Sequence, residues 1–324
     1  MQIYKLIVTF IMAFALFCQV AGNEFHKFSA KCMGTDFSII IDHDNKVLCS
    51  NAANAAFEEA ARLNNIFSDY IADSELSLLS QSSYTGNKVK LSDELFEVLR
   101  YSKSLAGKTN QAFDPTIGQL SRLWRISRFR KSLPAEKSLL HALSLKGTEY
   151  LQLNETTGEA SLHKPGIILD LGGIAKGYTA DKMIKTLGKF GIARCLVDAG
   201  GDLTLGNKPR GKSGWKIEIG GKKHPDLPIL ALDNCAIATS GDTSQFVDIN
   251  GTRYSHILNS ITGYGLKNLL QVTVIAENGM IADSLATACS ILGPTRAKKL
   301  LNKEDFKAFF LFQKSEMEVL EILE

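Results

Sequence analysis

Several features that identify a protein's class are missing from this sequence. Its 324 residues include only six cysteines and no C-x-x-C pair, so neither a zinc site nor a disulfide framework is indicated. The formal net charge is +3 and no basic run stands out, which argues against nucleic acid as a partner. Repeats and low-complexity tracts are also absent. The hydrophobic and charged fractions, 45% and 22%, indicate an ordinary globular protein.

One long apolar run is present, at the N-terminus. Lys5 precedes an apolar stretch over residues 6–17, and small residues follow near position 21. This is the layout of a secretory signal, and the stretch is shorter than the ~20 residues of a membrane-spanning helix. We therefore predict that residues 1–22 are a cleaved signal peptide and that residues 23–324 form an exported, periplasmic protein. Attachment to the inner membrane, including lipidation of Cys18, stays open.

The five cysteines that remain after cleavage are scattered, and most lie in apolar sequence. We predict that they are small buried residues. One disulfide stays open among Cys32, Cys49, Cys195, Cys235 and Cys289.

Helix and strand patterns alternate along the mature chain. Residues 26–42 predict a strand pair, and residues 46–67 predict a helix because apolar residues recur at helical spacing. Ser92 is placed to cap a further helix, which we expect Gly107 to follow. Residues 149–170 predict two strands, the second leading into a glycine-rich turn. Because no linker divides these elements, the fold class is α/β with α+β mixture, in one compact domain.

The glycine-rich turn lies in the segment DLGGIAKGYTADKM, which begins at Asp170. Gly172, Gly173 and Gly177 place little side chain at the start of a predicted helix, where Lys176 adds a cation. The first N–H groups of a helix and its dipole favour an anion such as phosphate. The alternative is a turn whose glycines serve packing alone.

A second candidate site lies in IADSLATA, where Asp283 and Thr287 are four residues apart. On a helix, side chains at this spacing lie on one face, so the two oxygens can meet at one point. Since the rest of the helix is small and apolar, the carboxylate would be buried, and a hard cation such as Mg²⁺ would offset that cost. Alternatively, Asp283 caps the helix and Thr287 bonds back to a carbonyl.

Two further polar segments interrupt apolar sequence. His256 follows a polar loop on a predicted strand, and either a structural or a functional role fits it. The carboxylates of Asp198 and Asp202 flank two glycines in DAGGD and could cap turns.

Taken together and in this order, these segments resemble the ApbE family of FAD:protein FMN transferases. The shared motifs are MGTDFSI, DSELSLL, AFDPTIG, LDLGGIAKGYTAD, VDAGGDL, ATSGD, YSHIL, TGYG and IADSLATA, which span nearly the whole mature chain.

The resemblance implies a single T-fold-like domain and a Mg²⁺-dependent reaction. FMN would pass from FAD to a threonine or serine hydroxyl of a target flavoprotein through a phosphoester, and AMP would leave. The implied partners are FAD and the flavin-accepting subunits of membrane redox complexes.

Roles for individual residues follow from the matched motifs. The implied metal ligands are Asp283, Thr287 and the carbonyl of Gly173. The catalytic candidates are His256 and Asp283, and the base that activates the acceptor hydroxyl is either His256 or an aspartate near the metal. The implied FAD contacts are Met33, Tyr70, Ala112, Phe113, Asp114, Asp170, Lys176 and His256.

The chain departs from the family's pattern at two places. Asn259 and Ser260 stand where the family often has aspartate and proline, and losing that proline predicts a looser turn near the flavin. Thr243, Ser244 and Gln245 replace an aromatic residue and an arginine after SGD, which affects recognition of the flavin edge or the target peptide.

Two other functions fit the same residues. The first is a metal-dependent FAD pyrophosphatase, in which water replaces the acceptor hydroxyl and FMN and AMP are released. The second is an exported protein that binds and stores FAD without turnover.

Overall fold

Alternating apolar residues build a central antiparallel sheet. The structure is a computed structural model that describes residues 25–220, 227–241, 246–267, 270–300, 305–314 and 317–323. The strands are β1 (Phe25–Cys32), β2 (Thr35–Asp42), β3 (Val89–Lys90), β4 (Leu151–Asn154), β5 (Glu159–Leu162), β6 (Cys195–Ala199), β7 (Leu203–Leu205), β8 (Trp215–Glu218), β9 (Ile229–Leu232), β10 (Ala236–Gly241), β11 (Phe246–Ile249), β12 (Thr252–Ser255), β13 (Leu270–Ala276), β14 (Lys307–Lys314) and β15 (Met317–Leu323).

Eight of these strands form the main sheet, in the order β1-β2-β6-β7-β10-β13-β14-β15. Every neighbouring pair is antiparallel. Smaller sheets are formed by β3-β5-β4, β8-β9 and β11-β12. The helices are α1 (Lys46–Phe67), α2 (Glu75–Ser82), α3 (Asp93–Lys108), α4 (Gly118–Arg130), α5 (Glu136–Ser144), α6 (Ala175–Lys189) and α7 (Gly279–Ala297). The predicted mixed class in one compact body is confirmed.

The main sheet carries a helical layer built from α1, α6 and α7. Phe37, Ile39 and Ile41 point from β2 into a core shared with the alanine-rich face of α1 and with Met183 of α6. The α7 helix packs on β10 and β13, where Val272 is fully buried. A separate small core joins α4 and α5 to the β11–β12 hairpin.

Most of the predicted elements are present, with shifts at their ends. The strand pair at 26–42 is β1 and β2, and the helix at 46–67 is α1. Ser92 caps α3 as predicted, accepting the Leu95 N–H at 3.2 Å. Gly107 is inside α3 rather than after it, because the helix continues to Lys108.

The prediction that a strand leads directly into the glycine turn is wrong. The β5 strand ends at Leu162, and an irregular segment connects it to α6, which begins at Ala175. This segment is held by Ile168, whose carbonyl accepts the Gly118 N–H at 2.9 Å, and by Asp170, whose N–H donates to the Pro115 carbonyl at 2.8 Å. The glycine turn is therefore positioned by the start of α4.

No disulfide joins any of the five cysteines within the described residues. Cys49, Cys195 and Cys289 are buried, and Cys32 and Cys235 are partly buried. Burial raises the pKa of Cys195 and of Cys289 to about 12, so these thiols stay protonated. No helix within the described residues has the length and apolarity needed to cross a membrane. The predicted signal peptide and Cys18 lie outside the described residues.

The α6 and α7 helices approach each other most closely at two glycines, Gly177 and Gly279. A Cβ atom added to Gly177 would lie 2.0 Å from the Gly279 carbonyl oxygen, and one added to Gly279 would lie 2.4 Å from the Gly177 carbonyl oxygen. Side chains at these positions would force the two backbones apart.

We expect Gly177→Ala to lower the free energy of unfolding by about 2 kcal/mol or more, since the added methyl cannot be accommodated by a side-chain movement. Gly188→Ala in the same helix is the matched control, because a Cβ there meets nothing within 4 Å. That variant should gain ~0.5–1 kcal/mol from helix propensity. Urea unfolding of both variants measures the difference, and equal midpoints would show that the close crossing is not required.

Candidate functional site

A cleft of about 690 Å³ lies between the helical layer, α4, the residues that follow β12 and the ends of main-sheet strands such as β10. It is lined from both sides by residues that are distant in sequence, from the β1–β2 turn to α7. Its walls include all eleven residues to which the sequence gives a site role, namely Met33, Tyr70, Ala112, Phe113, Asp114, Asp170, Gly173, Lys176, His256, Asp283 and Thr287.

The floor of the cleft carries the pair on α7. Asp283 is only 3% exposed, and its Oδ2 accepts the Gly177 N–H at 3.1 Å. Thr287 Oγ1 lies 3.3 Å from Ser240 Oγ on β10. The cap of α7 is Asn278, whose side chain accepts the Ile281 N–H at 3.0 Å, so the alternative that Asp283 caps the helix is wrong.

Gly173 lies directly against this pair. A Cβ atom at Gly173 would be 2.9 Å from Thr287 Oγ1 and 3.1 Å from its Cγ2, so only glycine allows this approach. A carboxylate, a hydroxyl and a backbone carbonyl are oxygen ligands of the kind that Mg²⁺ takes. No group of three or more His, Cys, Asp or Glu side chains within the described chain could hold a metal ion. A cation here would therefore depend on the neutral oxygens as well as on Asp283.

Asp181 fixes the start of the helix that bears this pair, a role that the sequence analysis missed. Its carboxylate accepts the N–H groups of Gly279 at 2.7 Å and Met280 at 3.0 Å, and the Thr204 hydroxyl at 3.2 Å. Burial raises the pKa of Asp181 to about 6 despite these donors. An Asp in the middle of a helical pattern gives no signal of this kind, because its two backbone partners at the start of α7 lie 98 and 99 residues away.

Lys176 is the cation at the centre of a group of carboxylates. Its ammonium donates to Asp202, which also accepts the Thr239 N–H at 3.3 Å. Burial opposes the charge, but Asp283, Asp202 and Asp198 together raise the pKa of Lys176. Asp198 behaves as the sequence suggested and closes its turn on the Gly201 N–H at 2.7 Å, whereas Asp202 pairs with the lysine.

Asp283 has the more unusual electrostatic environment. Burial is the main cause that raises its pKa, to about 7, and the nearby charges of Asp202 and Asp181 act in the same direction. Lys176 and the Gly177 N–H lower the pKa but do not cancel these effects. Asp198, Asp202 and Asp283 thus share one lysine, Lys176. A divalent cation would offset the excess negative charge of these carboxylates.

The first N–H groups of α6 are used differently from the prediction. We expected them to face an anion, but the Gly172 N–H donates to Asp170 Oδ1 at 2.7 Å and the Gly177 N–H to Asp283. The N–H of Ala175 donates to the Leu171 carbonyl at 2.9 Å. The expectation of an open N–H cradle is therefore wrong at these positions, and Lys176 is what this turn presents to an anion.

The opposite wall carries a second charged group, built around Arg125 of α4. Its guanidinium donates to Asp69 at 2.6 Å, lies 3.9 Å from Asp170 and covers the Tyr70 ring at 3.9 Å. Tyr70 is 76% exposed, which places its ring at the mouth of the cleft. The contact with Arg125 favours one orientation of this ring. Arg125 and Asp69 could not be recognised from the sequence, because no local pattern distinguishes this arginine from the other arginines of α4.

Asp114 organises the loop that also places Ala112 and Phe113. Its Oδ1 accepts the N–H and hydroxyl of Thr116 at 2.8 and 2.6 Å, and Lys146 lies 3.5 Å from its Oδ2. Buried carboxylates with such donors hold loops in one shape. Met33 occupies the β1–β2 turn with a φ of +49°, and its sulfur lies 3.5 Å from the Thr179 hydroxyl.

His256 follows the last residue of β12 and is exposed on the wall of the cleft. The turn after it is well anchored without the proline. Asn259 Oδ1 accepts the N–H groups of Ile261 at 2.9 Å and Thr262 at 3.1 Å, and Ser260 donates to the Gln111 carbonyl. The expected loosening is therefore wrong, while Thr243, Ser244 and Gln245 lie outside the described residues.

Comparison with known proteins gives one consistent result. The sequence profile of the ApbE family matches residues 33–310. A protein of Haemophilus influenzae named FAD:protein FMN transferase is 26% identical over 95% of this chain and 92% of its own length. A Treponema pallidum protein of the same name is 30% identical over 74% of this chain and 71% of its own length. Among solved structures, a mutant of the flavin transferase ApbE from Vibrio cholerae matches with a TM-score of 0.81 and 28% identity, over 92% of this chain and 97% of that one.

Replacing Asp283 with asparagine should change how stability responds to pH and to Mg²⁺. Because the pKa of Asp283 is raised to about 7, the folded protein holds a proton that the unfolded chain has released above pH ~4. The metal-free wild type should therefore lose stability as pH rises from about 4 to 7, and Asp283→Asn should lack that part of the loss. At pH 8, Mg²⁺ should raise the melting temperature of the wild type but not that of Asp283→Asn.

Thermal unfolding with Mg²⁺ or with chelator, across pH 5–9, measures both effects. Asp305→Asn, which removes an exposed carboxylate, is the control and should follow the wild type. Parallel curves for Asp283→Asn and the wild type, with equal shifts on adding Mg²⁺, would rule out a cation at Asp283.

Proposed function

The chain belongs to the ApbE family, and we propose that it is a Mg²⁺-dependent FAD:protein FMN transferase that modifies a threonine or serine of a target flavoprotein and releases AMP. The observation that carries the proposal is the convergence of all eleven sequence-selected residues on one cleft. The names of the relatives, FAD:protein FMN transferase, supply the reaction class.

The residues present fit the two groups that the reaction needs. Asp283, Thr287 and the Gly173 carbonyl would hold Mg²⁺, and the missing Cβ of Gly173 lets its backbone come close to Thr287. When bound, Mg²⁺ neutralises charge on the pyrophosphate of FAD and on the departing phosphate. Lys176 would face the same pyrophosphate.

The transfer is a displacement at the phosphorus of the FMN half. The acceptor hydroxyl loses its proton to the His256 imidazole, and its oxygen forms a bond to that phosphorus. The bond from this phosphorus to the bridging oxygen breaks, and AMP leaves with the electron pair. His256 suits the role of base because it is exposed on the cleft wall, where an acceptor from solution can reach it.

The remaining cleft residues would position FAD. Arg125 holds the Tyr70 ring in a fixed orientation at the mouth, which gives a flat surface for a ring system. Asp114 keeps the loop of Ala112 and Phe113 in place, and these two side chains are buried beneath the cleft surface. We expect these contacts to set the affinity for FAD rather than the rate of transfer.

The proposal also includes a location for the enzyme, outside the cytoplasm. The predicted signal peptide at residues 1–22 would place the enzyme in the periplasm, beside flavin-accepting subunits of membrane redox complexes that expose a hydroxyl there. Expression of the full chain followed by intact-mass measurement of the periplasmic fraction should give a product that begins near residue 23. A product that stays in the cytoplasm with residues 1–22 attached would contradict this part.

The reaction itself is tested by incubating the protein with FAD, Mg²⁺ and a candidate acceptor, following covalent in-gel flavin fluorescence and AMP together. We expect both signals, and we expect both to disappear with chelator or in Asp283→Ala. Glu277→Ala, which removes an exposed carboxylate just before α7, should keep both. His256→Gln should still bind FAD but lose ~10²-fold or more in transfer rate.

Other results would replace the proposal. AMP formed at the same rate with and without acceptor, and no covalent flavin, would indicate the FAD pyrophosphatase. Bound FAD with neither product would indicate a flavin-binding protein without turnover.

A further inference from the structure

A second groove adjoins the cleft on the side of α4. It has a volume of about 550 Å³ and lies between the C-terminal half of α4 and the β11 strand. Arg125 and Arg128 belong to the walls of both the groove and the cleft, so the two are continuous. The other side chains that define this basic groove are Phe129, Lys131, Phe246 and Asp248.

The groove has an excess of positive charge. Arg125 is paired with Asp69, but neither the Arg128 guanidinium nor the Lys131 ammonium forms an ion pair with any described residue. Among the described residues of the wall, Asp248 is the one that carries a carboxylate. Cations that form no ion pair within the described part of the chain favour an anionic ligand from outside.

Two exposed aromatic rings accompany these cations. Phe129 is 90% exposed and Phe246 is 40% exposed, and the Arg253 guanidinium covers the Phe246 ring at 3.5 Å. Aromatic residues, phenylalanine included, and arginine are enriched at protein–protein interfaces relative to the rest of the surface. The groove therefore offers both apolar area and charge to a ligand.

Lys131 has an unfavourable backbone conformation. It ends α4 in the left-handed region, with a φ of +49°, where glycine or asparagine would cost less. The next cation, Arg130, lies on the same helix end but does not line the groove. The chain thus keeps a lysine at the one position of this turn where the backbone favours glycine.

We propose that the basic groove binds the acceptor polypeptide, as an extended segment with an acidic side chain and an apolar side chain close to the modified threonine. This inference rests on the proposed transfer, which requires a second macromolecule to bring a hydroxyl into the cleft. The groove is a surface continuous with that cleft. Arg128 and Lys131, which form no ion pair with a described residue, match an acidic side chain, and Phe129 matches an apolar one.

The decisive variant is Lys131→Gly, because it removes the charge and relieves the left-handed backbone. Its melting temperature should equal or exceed that of the wild type, so loss of function cannot be assigned to loss of fold. Lys131→Arg keeps the charge, and Arg130→Ala removes a neighbouring charge outside the groove. Phe129→Ala tests the apolar contact.

The probes are synthetic threonine peptides and a folded flavin-accepting domain, with Asp, Asn or Lys placed within a few residues of the threonine. Against the Asp probe, Lys131→Gly and Phe129→Ala should each raise KM about tenfold while kcat stays within about twofold. The FAD dissociation constant, from flavin fluorescence, should not change. Lys131→Arg and Arg130→Ala should match the wild type, and added salt should reduce the preference for Asp over Asn.

The two levels of the proposal fail in different ways. Covalent transfer with equal KM for all variants and probes would overturn the groove assignment and leave the transferase standing. No covalent flavin on any probe with the wild type would overturn both. If Lys131→Gly instead loses binding to phosphatidylglycerol vesicles while its KM for acceptor holds, the groove faces lipid and the assignment is wrong.

Discussion

The crossing of α6 and α7 is the constraint on which the cleft depends. At Gly177 and Gly279 the two backbones are too close for any Cβ atom, and this distance lets each helix supply a carboxylate to the start of the other. Asp283 of α7 accepts an N–H from the first turn of α6, and Asp181 of α6 accepts two from the first turn of α7. Each carboxylate meets the positive end of a helix dipole, which makes its burial less unfavourable. The metal candidates are thus fixed by reciprocal capping.

The same crossing explains the charge balance of the floor. Two helix starts and Lys176 must stabilise Asp181, Asp202 and Asp283, and the raised pKa values of Asp181 and Asp283 show that these donors do not suffice. In a site that bound neutral ligands, this uncompensated negative charge would only destabilise the folded protein. In a site for Mg²⁺ and a pyrophosphate it is useful, since the cation adds positive charge and the substrate adds negative charge together. The electrostatics therefore support the proposed pairing of metal and FAD rather than either one alone.

Much of the fold and the site could be predicted from the sequence, for identifiable reasons. Strand pairs, helix starts such as Ser92 and the spacing of Asp283 and Thr287 are local, so periodicity and capping reveal them. The other cleft residues were predicted from the family resemblance. Each of the nine motifs is weak by itself, but their common order along the chain is specific. Asp181 and Arg125 could not be found in this way. Their partners are remote in sequence, and an unmarked aspartate or arginine gives no local signal of a long-range contact.

The cleft has a closed end and an open end. The candidate metal site lies at the closed end, away from the opening through which an acceptor or water would enter. Asp283 is almost fully buried, whereas His256 is exposed and Tyr70 stands largely in solvent at the mouth. A cleft that admitted a polypeptide hydroxyl would also admit water, and a base at His256 could activate either nucleophile. The candidate metal ligands alone therefore cannot favour transfer over hydrolysis. The preference must come from contacts that hold the acceptor close and in place, since orientation raises its effective concentration above that of randomly placed water. The proposed place for those contacts is the basic groove beside the mouth, where Arg128 and Lys131 form no ion pair with a described residue and the rings of Phe129 and Phe246 are exposed.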